Sequence, residues 1–347
     1  MVDSTKFNER IRELLKKPNE KTPSKPTKQN VSLLQEKSLN LRLEKLIPQF
    51  RNAILERKLA DAKIVITDLQ VVLRAMNKTT KLVELKNQFF ELAMEAQEYD
   101  FAIDGLLSNR QLVNHTTRLY LEATALLAIA YLRRNELGNA RPFIKEVLQN
   151  KNVIKTEATR RKFNKEIIAR FDEECALYSL KSGKEIPIDV EVLHGEVAKL
   201  SSTLTEEQLY AIIGKALPKL TRDLLFEVDK FSKNQLTWQE QKLLPSSEEI
   251  IKDEQAGRTV FSAFKRVVYK SLCDPASEVY KVWYTNAVGS VVDRKYITAA
   301  VVLALTGQGI GIMALAISAA ALVLRFGLDV YCERYKPLGI TEMRRKA

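Results

Sequence analysis

From about Asn40 onward the apolar residues of this chain recur every three or four positions and are broken by short polar turns, the period of amphipathic α-helices. Three stretches resemble one another: KLADAKI at 58–64, EYDFAID at 98–104 and ELGNARP at 136–142. In each, a polar turn leads to an alanine (Ala62, Ala102, Ala140) near the start of a second helix, and the alanines fall 40 and 38 residues apart. A side chain that small lets two antiparallel helices approach closely at their turn, so the pattern predicts helical hairpins in tandem.

The longest uncharged run is ITAAVVLALTGQGIGIMALAISAAALVL, Ile297 to Leu324. As one helix its 28 positions would be roughly 42 Å long, more than the ~30 Å hydrocarbon core of a bilayer. Its middle carries Gly307, Gly309 and Gly311, and a glycine inside a helix costs roughly 1 kcal/mol. The spacing therefore predicts two apolar half-helices, with Ile312, Leu315, Ile317 and Leu322 on the second. They form either a transmembrane or re-entrant segment, or a hairpin buried in protein. Basic residues flank the run on both sides, so charge does not orient it. Tyr331 and Tyr335 beyond it would suit a membrane interface.

Other helix starts are explicit. Thr205 with Gln208 and Ser246 with Glu249 form capping-box patterns, and Asp274-Pro275 reads as an N-cap with proline at the first helical position. The helix from Pro275 carries Val279 and Trp283 and is expected to lead into the apolar run. Trp238 and Trp283 are read as core or interface anchors. Residues 156–182 form a further helix ending near Gly183, and its Arg160–Lys165 and Asp172–Glu174 charges read as a mixed solvated face.

The chain has 347 residues with 12 glycines and 10 prolines, which suits an all-α fold of more than one domain. A net charge of +12 is compatible with an anionic membrane surface. Residues 16–30 are Lys- and Pro-rich without aromatics, so they read as a solvated tail and nucleic acid is not an expected partner. The N-terminus lacks the apolar segment of a signal peptide. The three cysteines, odd in number and unclustered, argue against a disulfide framework and a zinc site and fit a reducing compartment.

The hairpin units resemble tetratricopeptide repeats, through Leu127, Ala128 and Tyr131 followed by Ala140, Ile144 and Val147, and through Tyr99–Asp104 in the unit before. The likeness covers residues 43–150. It departs in its spacing, which exceeds 34 residues, and in the missing early tryptophan and terminal proline. The resemblance implies a groove for a protein or peptide partner, lined by Phe89, Tyr99, Leu127 and Tyr131, and no catalysis. A shorter likeness is Arg110-x4-His115, which resembles the ribonuclease motif of HEPN domains. Carried over, Arg110 would stabilise phosphate charge and His115 would move a proton. Glu191-x-x-His194 has no partner motif to complete a metal set. No phosphate loop is present.

The expected organisation is a basic tail (1–38), a TPR-like repeat domain (39–183), a second helical domain (184–296), an apolar hairpin or membrane-associating segment (297–336) and a basic tail (337–347). The expected role is a non-enzymatic interaction scaffold, cytoplasmic, without cofactor, and homo-oligomeric or membrane-associated through the apolar segment. The alternatives are a membrane-inserting, pore-forming effector restrained by the repeats and the HEPN-like ribonuclease.

Overall fold

The computed structural model describes residues 28–150, 153–181, 190–234, 236, 238–242, 244–281 and 294–344. The expectations for residues 1–27, Gly183 and Trp283 lie outside them. All named elements are helical, as expected, apart from one isolated bridge between Lys181 and Ile310.

Among the described residues six helices come first: α1 (Lys28–Leu55), α2 (Leu59–Ala75), α3 (Thr79–Glu95), α4 (Tyr99–Gln111), α5 (Arg118–Arg133) and α6 (Leu137–Gln149). Each packs on the next, and α1, α3 and α5 also pack in series, the arrangement of a helical-repeat fold. Four of the turns share one backbone solution. Arg57, Asn77, Gln97 and Asn135 have positive φ, between 53° and 69°. The next N–H closes on the carbonyl five residues back: Lys58 on Ala53, Lys78 on Leu73, Glu98 on Ala93 and Glu136 on Tyr131. This is Schellman closure, which satisfies carbonyls that a helix end leaves without partners. Ala62, Ala102 and Ala140 are each fully buried beside these turns. The turn at Asn77 has no alanine; Leu82 takes the equivalent place, which is why the sequence pattern passes over it.

Helix α7 (Glu157–Leu180) is shared between two cores. Phe163, Ile167, Phe171 and Cys175 join the repeat core, and Ala176 and Leu180 join a second. That second core is built by α8 (Val190–Thr203), α9 (Glu206–Lys215), α10 (Lys219–Lys233), α13 (Asp253–Leu272), α14 (Arg294–Thr306), α15 (Met313–Phe326) and α16 (Leu328–Arg334), with short α11 (Trp238–Lys242) and α12 (Ser247–Ile250) outside it. Both predicted capping boxes form, at Thr205 and Ser246. Helices α9 and α13 cross at Gly214 and Gly257, where a Cβ on Gly257 would lie 1.8 Å from the Tyr210 carbonyl oxygen.

The apolar run breaks where its glycines predicted. Helix α14 ends at Thr306, Gly309 turns with φ +79°, and α15 begins after Ile312. The hairpin lies inside protein: α8, α9 and α13 pack around it, Leu315 and Leu322 are fully buried, and Ile317 nearly so. Among the described residues no single helix is long and apolar enough to cross a membrane; α15 and α16 pass by length and composition only as a pair bent by 92°.

Other expectations are corrected. Cys273 and Cys332 form a disulfide joining the end of α13 to α16, leaving Cys175 free and buried. Local spacing hid the pair because 59 residues separate it. Trp238 is 68% exposed, so of the two roles expected for it the core one is overturned. Tyr331 is buried and donates its hydroxyl to the Lys265 carbonyl, so it does not sit at an interface with lipid in this fold. Asp274 accepts the Ala276 N–H and pairs with Arg57, and the helix begins only after Ser277.

Candidate functional site

The groove along α1 and α3 is occupied by the chain's own C-terminal segment. After α16, Lys336–Gly339 has no regular structure, Ile340 and Thr341 turn, and a 3-10 turn follows, Glu342–Arg344. The Glu91 carboxylate on α3 accepts the Ile340 N–H, the Thr341 N–H at 3.1 Å and the Thr341 hydroxyl at 2.6 Å. Ile340 and Met343 join the repeat core, and a Cβ on Gly339 would lie 2.8 Å from Glu91 Oε1, so the segment has glycine where it crosses the carboxylate. Arg266 Nη2 on α13 holds the Leu338 carbonyl at 3.1 Å. Burial pushes the Glu91 carboxyl up, against its three hydrogen bonds. Beside the segment a cavity of about 170 Å³ remains, with Arg51, Arg57, Gln88 and Glu95 on its walls.

Behind the groove, charged side chains from both cores meet at α7. Glu174 is 2% exposed and takes Arg133 Nη2 at 2.7 Å together with Arg170. Glu173 takes Arg170 at 3.0 Å, Arg266 at 2.9 Å and the Ser262 hydroxyl at 3.2 Å. Glu95 pairs with Lys270 at 3.2 Å and with Arg57 at 3.8 Å. Burial alone would raise the Glu174 carboxyl, but Arg133 and Arg170 hold it well below the usual range. Burial lowers Lys270 despite Glu95, and lowers Arg170 with help from Arg266. The acidic triplet read as a solvated face is thus buried at Glu174, with Glu173 partly buried in the same junction.

The expected partner residues divide. Phe89 and Leu127 face the core, Tyr131 stacks on Phe143 with the rings 2° from parallel, and Tyr99 lines a separate cleft with Arg133, Glu174 and Lys181. The groove residues that touch the tail, Glu91 above all, were missed: a helical glutamate gives no sign of what docks on it. Glu173 and Glu174 left one trace, their i,i+3 and i,i+4 spacing from Arg170.

Arg110 and His115 make no hydrogen bond to each other. Arg110 donates to both Glu146 oxygens and to the Tyr120 hydroxyl, and lies against the Phe143 ring. His115 is exposed in the following loop and bonds to neither. With its guanidinium neutralised by Glu146, Arg110 is a tie between α4 and α6. His194 Nδ1 is 3.5 Å from Thr298 Oγ1, at the limit of a hydrogen bond. Among the described residues no group of His, Cys, Asp and Glu could hold a metal ion. No family model, no curated protein and no solved structure matches this chain.

Proposed function

We propose that the protein is a non-enzymatic interaction module whose TPR-like array binds an extended peptide in the α1–α3 groove, with its own C-terminal segment as resident pseudo-ligand. The observation that carries this reading is the Glu91 carboxylate, which reads two backbone N–H groups and a hydroxyl of that segment. Backbone donors give affinity in extended-peptide recognition, and flanking apolar side chains give selectivity. The partner would present glycine, a branched apolar residue and a Thr or Ser in succession, with a second apolar residue three positions after the first, as Ile340 and Met343 are spaced.

The test is fluorescence anisotropy with a labelled peptide of residues 336–347, against the full chain and an Ile340→Asp/Met343→Asp variant. The wild type should bind at least about 10-fold more weakly, because a tethered tail competes at an effective millimolar concentration. A variant that keeps its helicity yet ignores the peptide would reject the reading.

A second reading, the membrane effector, is favoured by the apolar character of α14 and α15. It requires extracting Leu315, Leu322 and their neighbours from the second core, each large side chain costing about 1.5–3 kcal/mol before lipid replaces protein. Carbonate-washed fractionation decides it: the full chain should stay with membranes and an Ala316→Glu variant should not. Recovery of both in the supernatant would exclude insertion.

A further inference from the structure

A cavity of about 300 Å³ lies between α7, α13, α16 and the C-terminal segment. Five cations line it, Arg170, Lys265, Arg266, Arg334 and Lys336, against two carboxylates, Glu166 and Glu173. Three positive charges are therefore in excess, counted over these same lining residues. Glu173 already serves Arg170 and Arg266. Among the described residues Lys265, Arg334 and Lys336 make no ion pair with a carboxylate; the Lys265 ammonium instead lies 4.0 Å from the centre of the Tyr335 ring.

Two further observations point to an anion site. Arg170 is 5% exposed, lines the cavity, and its Nε has no hydrogen-bond partner. A buried guanidinium donor left unpaired carries a desolvation cost that a bound acceptor would remove. Burial also lowers Lys265; Glu173 opposes that shift and the nearby Arg334 adds to it. The unpartnered Glu166 Oε2 opposes an anion, which places the ligand toward Lys265, Arg334 and Lys336.

We infer that this cavity binds a phosphate group bearing at least two negative charges, carried by a soluble metabolite or by a lipid headgroup. Guanidinium groups match phosphate oxygens in bidentate fashion, and lysine adds a point charge. The volume is at the small end for ligand pockets, enough for a diphosphate with a modest substituent. Lys336, Pro337 and Leu338 form one wall, so a bound phosphate would also hold the C-terminal segment against α13. The site stands whether or not the groove accepts outside peptides.

The experiment is calorimetric titration of the full chain with pyrophosphate at constant ionic strength set by chloride. A parallel flotation arm uses phosphatidylcholine vesicles with and without a phosphoinositide. Saturable one-to-one binding is expected in at least one arm, weakened about 10-fold or more in an Arg334→Gln/Lys336→Gln variant and in Lys265→Gln. Arg334 and Lys336 are exposed, so the double variant should keep its fold, checked by circular dichroism. Binding in solution assigns a soluble phosphate; binding only to phosphoinositide vesicles assigns a headgroup. No saturation in either arm overturns the inference, as does binding that both variants leave unchanged, which would mark a diffuse counter-ion effect.

Discussion

Arg57, Asn77, Gln97 and Asn135 hold the left-handed backbone region that each repeat turn needs, and only two of them are asparagine. Asparagine tolerates that region better than glutamine or arginine, whose side chains crowd the next carbonyl. Arg57 has a compensating task, because it pairs with Glu95 and Asp274. Gln97 makes no side-chain hydrogen bond among the described residues, so its φ of 66° is relaxed most cheaply by substitution. Gln97→Gly should raise stability by about 0.5–1 kcal/mol, read by urea unfolding, since no side chain then opposes the turn. A loss of stability would mean that Gln97 contributes contacts beyond its backbone.

The C-terminal segment is an element without regular structure held at one carboxylate. Removing that carboxylate leaves the Ile340 and Thr341 N–H groups buried without an acceptor, at about 1–3 kcal/mol per unpaired donor. Glu91→Ala should therefore raise amide exchange across 337–344 by about 10-fold or more while α4 to α6 keep their protection. Uniform exchange in both proteins would show that Ile340 and Met343 hold the segment unaided. The carboxyl of Glu91 is raised on folding, so its contribution is fully present below the ordinary value of 4.5 and is lost as pH rises through the folded value. The segment's own three hydrogen bonds hold the carboxyl down, so they favour its ionised form, and protonating Glu91 should weaken them. The hairpin α14–α15 is the opposite kind of element, since its turn comes from local glycines and its burial from the helices around it.

At the scale of the whole molecule, α7 is the joint, and Glu173 and Glu174 tie the repeat core to the second bundle. The Glu174 carboxyl is depressed on folding, so the stability it supplies is present above 4.5 and lost as pH falls toward the folded value. Acid should thus loosen the junction. Glu174→Gln leaves Arg133 and Arg170 buried with one charge fewer, which should cost about 3–5 kcal/mol near neutral pH. It should also flatten the loss of stability below pH 4.5, measured by urea unfolding across pH. An unchanged slope would assign the acid response to another carboxylate.

Legibility followed distance along the chain. Period, turn residues, capping boxes and the glycine break at 307–311 are set within one or two helical turns, and the all-α fold, the hairpins and the broken apolar run could be read from sequence. Ala62, Ala102 and Ala140 were legible because small size is meaningful at a helix crossing wherever it lies. What encloses the apolar hairpin, the pairing of Cys273 with Cys332, the burial of Glu174 and the ion pairs of Glu173, and the docking of Ile340 on Glu91 were decided only in three dimensions. Each joins residues brought together by packing, and a local pattern carries the chemistry of a side chain but not the identity of the groups that will surround it.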